Sequence, residues 1–272
     1  AVLMSNEPCR VLVFGAHPDD AEFFAGGLLH AHAKQGSVIR LVSVTNGQSG
    51  HHEISSDALV LRRREEARRA GAVLGCEVRV WDYPDGHLTA SLAVRESIIR
   101  EIREFSPDLV LTHRPWDYHP DHRAVGQAVQ DASYMVMVPK IVPGTRVPDR
   151  EPVVASMVDL FTKPVAFQAD FVLDATPYLD GVVAMLSEHR SQFGEWLPWI
   201  EKLQMPVSVD SPQWIEWLKG WYLERVGSRA ERFWKSHWGQ TPKLVEAFEI
   251  SEYAGRLSQV AQQRLFPGCH VN

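Results

Sequence analysis

The fold is decided by residues 10–45, which read RVLVFGAHPDDAEFFAGGLLHAHAKQGSVIRLVSVT. An apolar run at Arg10–Ala16 is typical of a parallel strand that is covered on both faces. Helical spacing of apolar residues follows from Ala21 to Gln35, and a β-branched run at Val38–Thr45 predicts a second strand. A strand, a helix and a strand in this order form a right-handed βαβ unit. The stretch therefore predicts a parallel sheet with helices packed on it.

The alternation of strands and helices continues to about residue 135. After a polar loop at Asn46–Asp57, the predicted elements are a helix at Ala58–Leu74 ended by Gly75, a strand at Val78–Asp82, a helix at Leu92–Phe105, a strand at Leu109–Thr112 and a helix from about His122 to Tyr134. Four strands separated by helices predict a Rossmann-like three-layer α/β sandwich with a mostly parallel central sheet. Ligands of such sheets bind outside the carboxyl ends of the strands.

The pattern is less regular after residue 138. Residues 139–164 hold five prolines and no clear period, which indicates an irregular excursion that serves as a lid or an oligomer contact. A strand at Phe171–Leu173 and a helix around Leu179–Ser191 restore the regular pattern. Residues 1–272 are therefore expected to form one domain, with a core at about 10–135 and a decorated, Trp-rich helical part at 175–272.

Tryptophan is concentrated in the last third of the chain. Seven of the nine tryptophans lie between Trp196 and Trp238, and Trp214, Trp217 and Trp221 fall on one face of a predicted helix. Packing, or a subunit interface in a homo-oligomer, explains such a cluster. The alternative is an aromatic wall for a sugar ring or a bulky apolar group. The sequence favours packing or an interface.

The composition is that of an ordinary globular protein. Hydrophobic residues make up 45% and charged residues 23% of the 272, which excludes a disordered chain or a fibre. The formal net charge of -6 argues against a nucleic acid as partner. Three distant cysteines fit neither a disulfide framework nor a thiolate zinc site, and they favour a reducing compartment. Because no apolar run reaches ~18 residues and no targeting signal is recognisable, we expect a cytoplasmic protein without a membrane span.

The first chemical motif, Gly15–Glu22 (GAHPDDAE), lies where the first predicted strand ends and the first helix begins. Pro18 stiffens the turn that carries His17, Asp19 and Asp20. Capping of the helix explains one of the two acids, because Asp is a good cap residue. Capping does not explain the histidine or a second carboxylate that repels the first. A bound metal would relieve that repulsion.

The second motif, His113–His122 (HRPWDYHPDH), begins at the end of the fourth predicted strand and therefore lies at the same edge of the sheet. A hydrophilic loop with incidental histidines is the plain alternative. Together the two motifs predict a His/Asp/His metal site with spare carboxylates and imidazoles that can move protons. A zinc ion lowers the pKa of a water and polarises a carbonyl, so the residues indicate hydrolysis of an amide. They leave open whether Asp19 or Asp20 is the ligand.

These motifs resemble a known family. AHPDDAE at Ala16–Glu22, together with HPDH at His119–His122, is similar to the PIG-L/LmbE-like family of zinc-dependent N-acetylglucosaminyl deacetylases. The resemblance is dense from about Val11 to Gly126. Its other parts are Thr45–Gly50 (TNGQSG), Arg63 and Arg64 with Glu66, Tyr83–Gly86 (YPDG), and thinner matches at His189–Gln192 and Glu246–Phe248. The family implies Zn²⁺ or another divalent transition metal as cofactor, and a small amino sugar as substrate.

The resemblance also implies a role for each matching residue. The implied zinc ligands are His17, Asp20 and His122. Asp19 matches the general base that activates the water. His119 matches the imidazole that stabilises the tetrahedral intermediate or protonates the departing amine, and Asp121 matches the acid that orients this imidazole.

The candidate substrate contacts are Arg63, Arg64, His51 and His113. His51 lies in the loop after the second strand, near the expected cleft, and is expected to be a substrate-side or a surface residue rather than a ligand. An arginine on the second helix holds a hydroxyl or phosphate in the family, although Arg62–Arg64 is equally well explained as a solvated helix face. His113 is explained as well by support of the metal ligands, or by a structural role at a strand end. Some relatives carry a tyrosine two residues before the HPDH histidine. Asp117 takes this place here, so we expect no tyrosine role.

We therefore expect an enzyme that removes an N-acetyl or other N-acyl group from an N-acetylglucosamine-type amino sugar or its conjugate. One alternative is an amidase of a sugar–thiol conjugate of the mycothiol or bacillithiol type, and another is a non-catalytic metal-binding protein. A nucleotide-binding module is disfavoured, because the first turn reads AHPDDAE where a dinucleotide fold needs G-x-G-x-x-G.

Overall fold

The computed structural model of the protein describes residues 8–205 and 207–272. The strands found in this part of the chain are β1 (Arg10–Gly15), β2 (Val38–Thr45), β3 (Glu77–Tyr83), β4 (Leu109–Thr112), β5 (Val153–Met157), β6 (Phe171–Asp174), β7 (Val245–Ile250) and β8 (Cys269–Val271). They form one sheet in the order β3-β2-β1-β4-β5-β7-β6-β8. The first five are parallel, and β7, β6 and β8 extend the sheet by antiparallel pairing.

The helices of the same residues are α1 (Asp20–Lys34), α2 (Ser56–Leu74), α3 (Leu92–Phe105), α4 (Pro120–Met135), α5 (Leu179–Glu188), α6 (Leu197–Ile200), α7 (Trp214–Val226), α8 (Ser228–Phe233) and α9 (Gln259–Leu265). A π-helical segment at Ser191–Trp196 leads into α6. None of the helices in this part of the chain combines the length and the apolar character that crossing a bilayer requires.

Two cores separate the sheet from its helix layers. On one face α1, α5 and α7 pack against side chains such as Val11 and Val13 of β1. On the other face α3 and α4 pack against Leu12 and Phe14 of the same strand. Because successive side chains of a strand point to opposite faces, one apolar run supplies both cores. The predicted Rossmann-like three-layer α/β sandwich with a mostly parallel sheet is confirmed.

Several elements begin and end where the sequence predicts. β2, α3 and β4 have the predicted bounds, and α2 ends at Gly75, whose φ of 75° is left-handed and therefore suits glycine.

The second half of the chain corrects two predictions. The excursion expected over residues 139–164 is wrong at Val153–Met157, which forms β5 beside β4 in the parallel part of the sheet. The part at 175–272 is not only helical, since β7 and β8 lie in it. β5 is a five-residue run directly after a proline, too short for a search for long periods. β7 is a six-residue run in which Glu246 and Glu249 interrupt the apolar residues, so it does not stand out either.

Candidate active site

The candidate site is built from loops that leave the carboxyl ends of parallel strands. His17 and Asp20 follow β1, Asp85 follows β3, and residues 113–122 follow β4 and run into α4. The strand order 3-2-1-4-5 reverses between β1 and β4, and such a reversal opens a crevice at the carboxyl edge of an open sheet. The two histidine-bearing motifs therefore face each other across this crevice.

Three donor groups of these loops, two imidazole nitrogens and one carboxylate, form a small triangle. His17 Nδ1 lies 3.3 Å from His122 Nε2, and these atoms lie 3.5 Å and 3.4 Å from Asp20 Oδ2 and Oδ1, respectively. Ligands bound at ~2.0–2.1 Å to a tetrahedral zinc ion are about 3.3 Å apart, so the triangle has the size that zinc requires. Imidazole nitrogen and carboxylate oxygen are also donors that zinc accepts.

The outer nitrogens of both rings face carboxylates. His17 Nε2 lies 3.3 Å from Asp85 Oδ1 and 3.3 Å from Asp121 Oδ2, and His122 Nδ1 lies 3.1 Å from Asp117 Oδ1. A carboxylate behind a metal-binding histidine fixes its ring orientation and directs the lone pair of the other nitrogen at the metal. The residues present therefore fit a divalent metal in both donor type and support.

Further donors surround the triangle. His119 groups with His17 and His122 within 4.8 Å, and His113 groups with Asp20 and His122 within the same distance. Although burial acts to lower the pKa of His122, Asp20 and Asp117 raise it to about 9. Burial raises the pKa of Asp20, but His122 and His113 outweigh this and hold it well below its usual range. The cluster thus favours a cation at its centre.

The two adjacent acids have different partners. The Asp20 carboxylate accepts a hydrogen bond from the His17 N–H at 2.8 Å and faces the two histidines of the triangle. Asp19 is the N-cap of α1 but makes no capping bond with its side chain. Its Oδ2 accepts a hydrogen bond from Arg63 Nη2 at 3.1 Å, and burial raises the pKa of Asp19 to about 6 against the lowering effect of Arg63. Asp19 is therefore the acid that is placed to exchange a proton.

His119 is held by the backbone of α4. Its Nδ1 accepts a hydrogen bond from the Asp121 N–H at 3.1 Å, so a neutral ring carries its proton on Nε2. The Asp121 carboxylate accepts instead from the N–H groups of Gly86 (2.7 Å) and Leu88 (3.1 Å). Among the described hydrogen bonds, none joins this carboxylate to the His119 ring. The hydrogen bond between Asp121 and the His119 ring is therefore made by the Asp121 backbone N–H.

Of the predicted substrate contacts, the structure brings only Arg63 to the reacting groups. Arg63 is 2% exposed and reaches Asp19 from α2. Its guanidinium passes so close to Gly47 that an added Cβ would lie 2.5 Å from Nη1, and the φ of 70° at Gly47 also favours glycine.

The structure places the other three predicted contacts, Arg64, His51 and His113, outside the set of residues that line the cavity. Arg64 lies outside the cavity and pairs with Asp82, with a side chain that is 38% exposed. His51 is buried on Glu195, with Nε2 2.9 Å from Oε2. His113 is 4% exposed, stacks on His122 and places Nε2 3.1 Å from Asp20 Oδ2, so it supports the donor triangle from behind. In the sequence, the arginines of the run and the histidines of the loops look equally suited to bind a substrate. Only the folded structure shows which of them reach the cavity.

A cavity of about 530 Å³ opens from the donor triangle. Part of its wall is aromatic, with rings from Phe23, Phe24, Phe193, Trp196 and Trp221. The tryptophans of the Trp-rich segment therefore have different surroundings. Trp196 and Trp221 reach the cavity, while Trp214, the first residue of α7, is buried in the core.

Asp85 and Arg229 also line the cavity and were not among the predicted site residues. Asp85 lies in the YPDG motif and was detectable from its place after a parallel strand. Arg229 lies far along the chain, and no motif marks it.

Comparison with known proteins places these residues in a family. Residues 12–133 match the sequence profile of the PIG-L family, described as GlcNAc-PI de-N-acetylase. The chain is 26% identical to diacetylchitobiose deacetylase of Thermococcus kodakarensis over 74% of its own length and 78% of that protein. It is 34% identical to YaiS of Escherichia coli, described as an uncharacterized deacetylase, over 46% of its length and 68% of that protein.

One relative carries a different activity in its name. The chain is 29% identical to 4-oxalmesaconate hydratase of Pseudomonas putida over 56% of its own length and 62% of that enzyme, so it spans less than two thirds of it. Among solved structures, N,N'-diacetylchitobiose deacetylase from Pyrococcus horikoshii superposes with a TM-score of 0.71 at 21% identity, over 90% of this chain and 84% of that one. This likeness shows the common fold.

Proposed function

The chain belongs to the PIG-L family of de-N-acetylases, and from this premise we propose that it is a metal-dependent hydrolase that removes the acetyl group from an N-acetylglucosamine-type sugar or its conjugate. The observation that carries the proposal is the donor triangle of His17, Asp20 and His122 with a separate, proton-exchanging acid, Asp19, beside it. The deacetylase names of the relatives agree with it.

The metal would be held by His17 Nδ1, His122 Nε2 and the Asp20 carboxylate. Zn²⁺ suits this donor set best, and another divalent transition metal is the alternative. When bound, such a metal polarises the amide carbonyl and lowers the pKa of a water. Asp85, Asp117 and Asp121 hold the two imidazoles in the orientation that this binding needs.

The chain's own residues supply the proton transfers. Asp19 accepts a proton from the water while the oxygen of that water attacks the carbonyl carbon of the acetamido group. His119 Nε2–H donates a hydrogen bond to the carbonyl oxygen as negative charge develops there. The C–N bond then breaks as the amine takes the proton that Asp19 had accepted, and the acyl group leaves as acetic acid, which ionises to acetate. Arg63 keeps the Asp19 carboxylate in place through this cycle.

A hydratase is the second candidate, because one relative bears that name. A hydratase would also use a water activated beside Asp19, but it would add that water across a carbon–carbon double bond and release no acetate. Release of acetate from a panel of N-acetylglucosaminides, with sulfur-linked sugar conjugates included for the amidase alternative, separates these activities.

The sharpest test of the proposal is Asp19→Asn. We expect turnover to fall about 10²- to 10⁴-fold, because general-base catalysis contributes that much, while the metal content stays that of the wild type. Asp57→Asn is a matched control, since Asp57 is an exposed acid in the first turn of α2. Wild-type turnover in Asp19→Asn, or purified protein without divalent metal by plasma mass spectrometry, would contradict the proposal.

A further inference from the structure

Arg229 at the start of α8 lines the same cavity. It is only 4% exposed, and its guanidinium carbon lies 5.5 Å from the centre of the Phe23 ring and 5.7 Å from that of Phe24. A guanidinium is charged at every physiological pH. A permanent positive charge is therefore buried against two phenyl rings at the wall of the cavity.

Among the described residues no carboxylate lies within ion-pairing distance of Arg229, and its buried Nη1 has no hydrogen-bond partner. The Tyr222 hydroxyl forms a hydrogen bond with the guanidinium but brings no full counter-charge. Glu246 is near enough for the two charges to interact, but its oxygens accept hydrogen bonds from the Gly27 and Leu28 N–H groups at 2.7 and 2.8 Å. The positive charge is therefore only partly compensated by the protein.

The other cationic residues of the cavity have carboxylate partners. Arg63 donates to Asp19, and Arg225, which is far more exposed, pairs with Glu201. This contrast makes Arg229 distinct from the other two, although all three line one cavity. A buried charge without a hydrogen-bonded counter-ion is costly, and one that lines a cavity can obtain the missing partner from a ligand.

We propose that Arg229 is a substrate-binding residue, which pairs with an anionic group, a carboxylate or a phosphate, that the amino-sugar substrate carries. Arginine suits both groups because its planar fork donates two parallel hydrogen bonds. The inference rests on the proposed function for the identity of the sugar, but the anion site itself does not depend on turnover.

The position of Arg229 agrees with a substituent close to the reacting amide. The Phe24 ring centre lies 6.0 Å from that of His122 and 5.7 Å from the Arg229 guanidinium carbon. One phenyl ring thus neighbours both the donor triangle and the positive charge. A sugar that lies along this aromatic wall with its acetamido group at the triangle extends its substituents toward Arg229.

The test compares neutral and anionic substrates. Acetate release would be measured from methyl N-acetylglucosaminide as the neutral compound, from N-acetylglucosamine 1-phosphate and 6-phosphate as phosphates, and from N-acetylmuramic acid as a carboxylate. We expect kcat/KM of the wild type to be at least about 10-fold higher for one anionic compound than for the neutral one, as a charged hydrogen bond provides. Equal kcat/KM values for all compounds would overturn the proposal.

Variants separate binding from a structural role. Arg229→Met should lose the 10- to 100-fold preference through KM and change kcat/KM of the neutral compound less than about 3-fold. Arg225→Met, the matched control on the same wall, should keep the preference. An equal loss on neutral and anionic compounds would mean that Arg229 only supports the fold. Arg229→Lys should retain part of the preference for anionic compounds. If Arg229→Met does not fold, the preference measured in Arg229→Lys serves as the test instead.

Calorimetry distinguishes failure of this proposal from failure of the proposed function. If no compound releases acetate, the deacetylase proposal fails, but binding of the same four compounds can still be measured. Anionic compounds that bind the wild type more tightly than methyl N-acetylglucosaminide, with the difference lost in Arg229→Met, would still support the anion site. The absence of any such difference would overturn it.

Discussion

Glu246 provides a test of the electrostatics beneath the active site. This fully buried glutamate on β7 accepts hydrogen bonds from the N–H groups of Gly27 and Leu28 in the middle of α1, the helix that begins with Asp20. Burial raises the pKa of Glu246 from 4.5 to about 7, against the lowering effects of the two N–H groups and of Arg229. The perturbation is Glu246→Gln, which keeps the side-chain shape and removes the titration.

The direction in which stability changes with pH follows from which state binds the proton of Glu246 more tightly. The folded state holds the Glu246 proton more tightly than the unfolded state, so this group stabilises the fold fully below about pH 4.5 and loses that contribution as the pH rises through about 7. At 1.36 kcal/mol per pKa unit, the shift amounts to roughly 3 kcal/mol. At low pH Glu246→Gln costs stability, since an amide accepts only one of the two N–H bonds well, but the variant lacks the titration that weakens the wild type as the pH rises. Its deficit relative to the wild type should shrink by roughly 3 kcal/mol between pH 4.5 and pH 8.

Urea unfolding followed by circular dichroism, on metal-free protein at half-unit pH steps from 4.5 to 8, measures this difference. Glu224→Gln, at an exposed position of α7, controls for the loss of one carboxylate and should parallel the wild type. A deficit of Glu246→Gln that stays constant over the whole range would refute the reasoning. It would mean that the two N–H groups outweigh burial and keep Glu246 ionised.

Two further predictions concern the donor triangle and its neighbours. Asp117→Asn removes the carboxylate behind His122 and should weaken zinc binding about 10- to 100-fold in a chelator competition. Unchanged affinity would show that Asp117 does not support the metal. Arg63→Met should lower kcat/KM for acetate release about 10- to 100-fold, because it leaves the Asp19 carboxylate without its partner. Arg64→Met breaks only a surface pair and should change kcat/KM less than about 2-fold, so equal effects of the two variants would contradict the placement of Arg63.

The sequence predicts the parallel half of the sheet well because local signals agree there. In β1, β2 and β4 continuous apolar runs alternate with helical spacing, and the carboxyl ends of these strands bring His17 and His122 together in any right-handed arrangement. The antiparallel half depends on pairing between distant segments. β5 is a central strand of only five residues directly after a proline, and its partners are fixed by tertiary contact rather than by its own pattern.

The roles of the site residues are also hard to predict from the sequence, because they depend on contacts between distant segments. Asp19 and Asp20 are adjacent and chemically identical, and only their partners, Arg63 for one and the histidines for the other, separate a base from a ligand. His113 carries the same sequence signal as His122 but lies behind it. Arg229 reaches the cavity from more than 100 residues away in sequence from either motif, so no local pattern could have marked it.

The origin of the cavity wall has an evolutionary consequence. The donor triangle and Asp19 come from the first half of the chain, whereas Trp196, Trp221 and Arg229 come from a later segment that is threaded over the same crevice. Substitutions in that later segment can change which sugar conjugate fits while the machinery that cleaves the amide stays untouched. Relatives that keep the donor triangle and Asp19 can therefore come to accept different substrates through changes in the later segment alone.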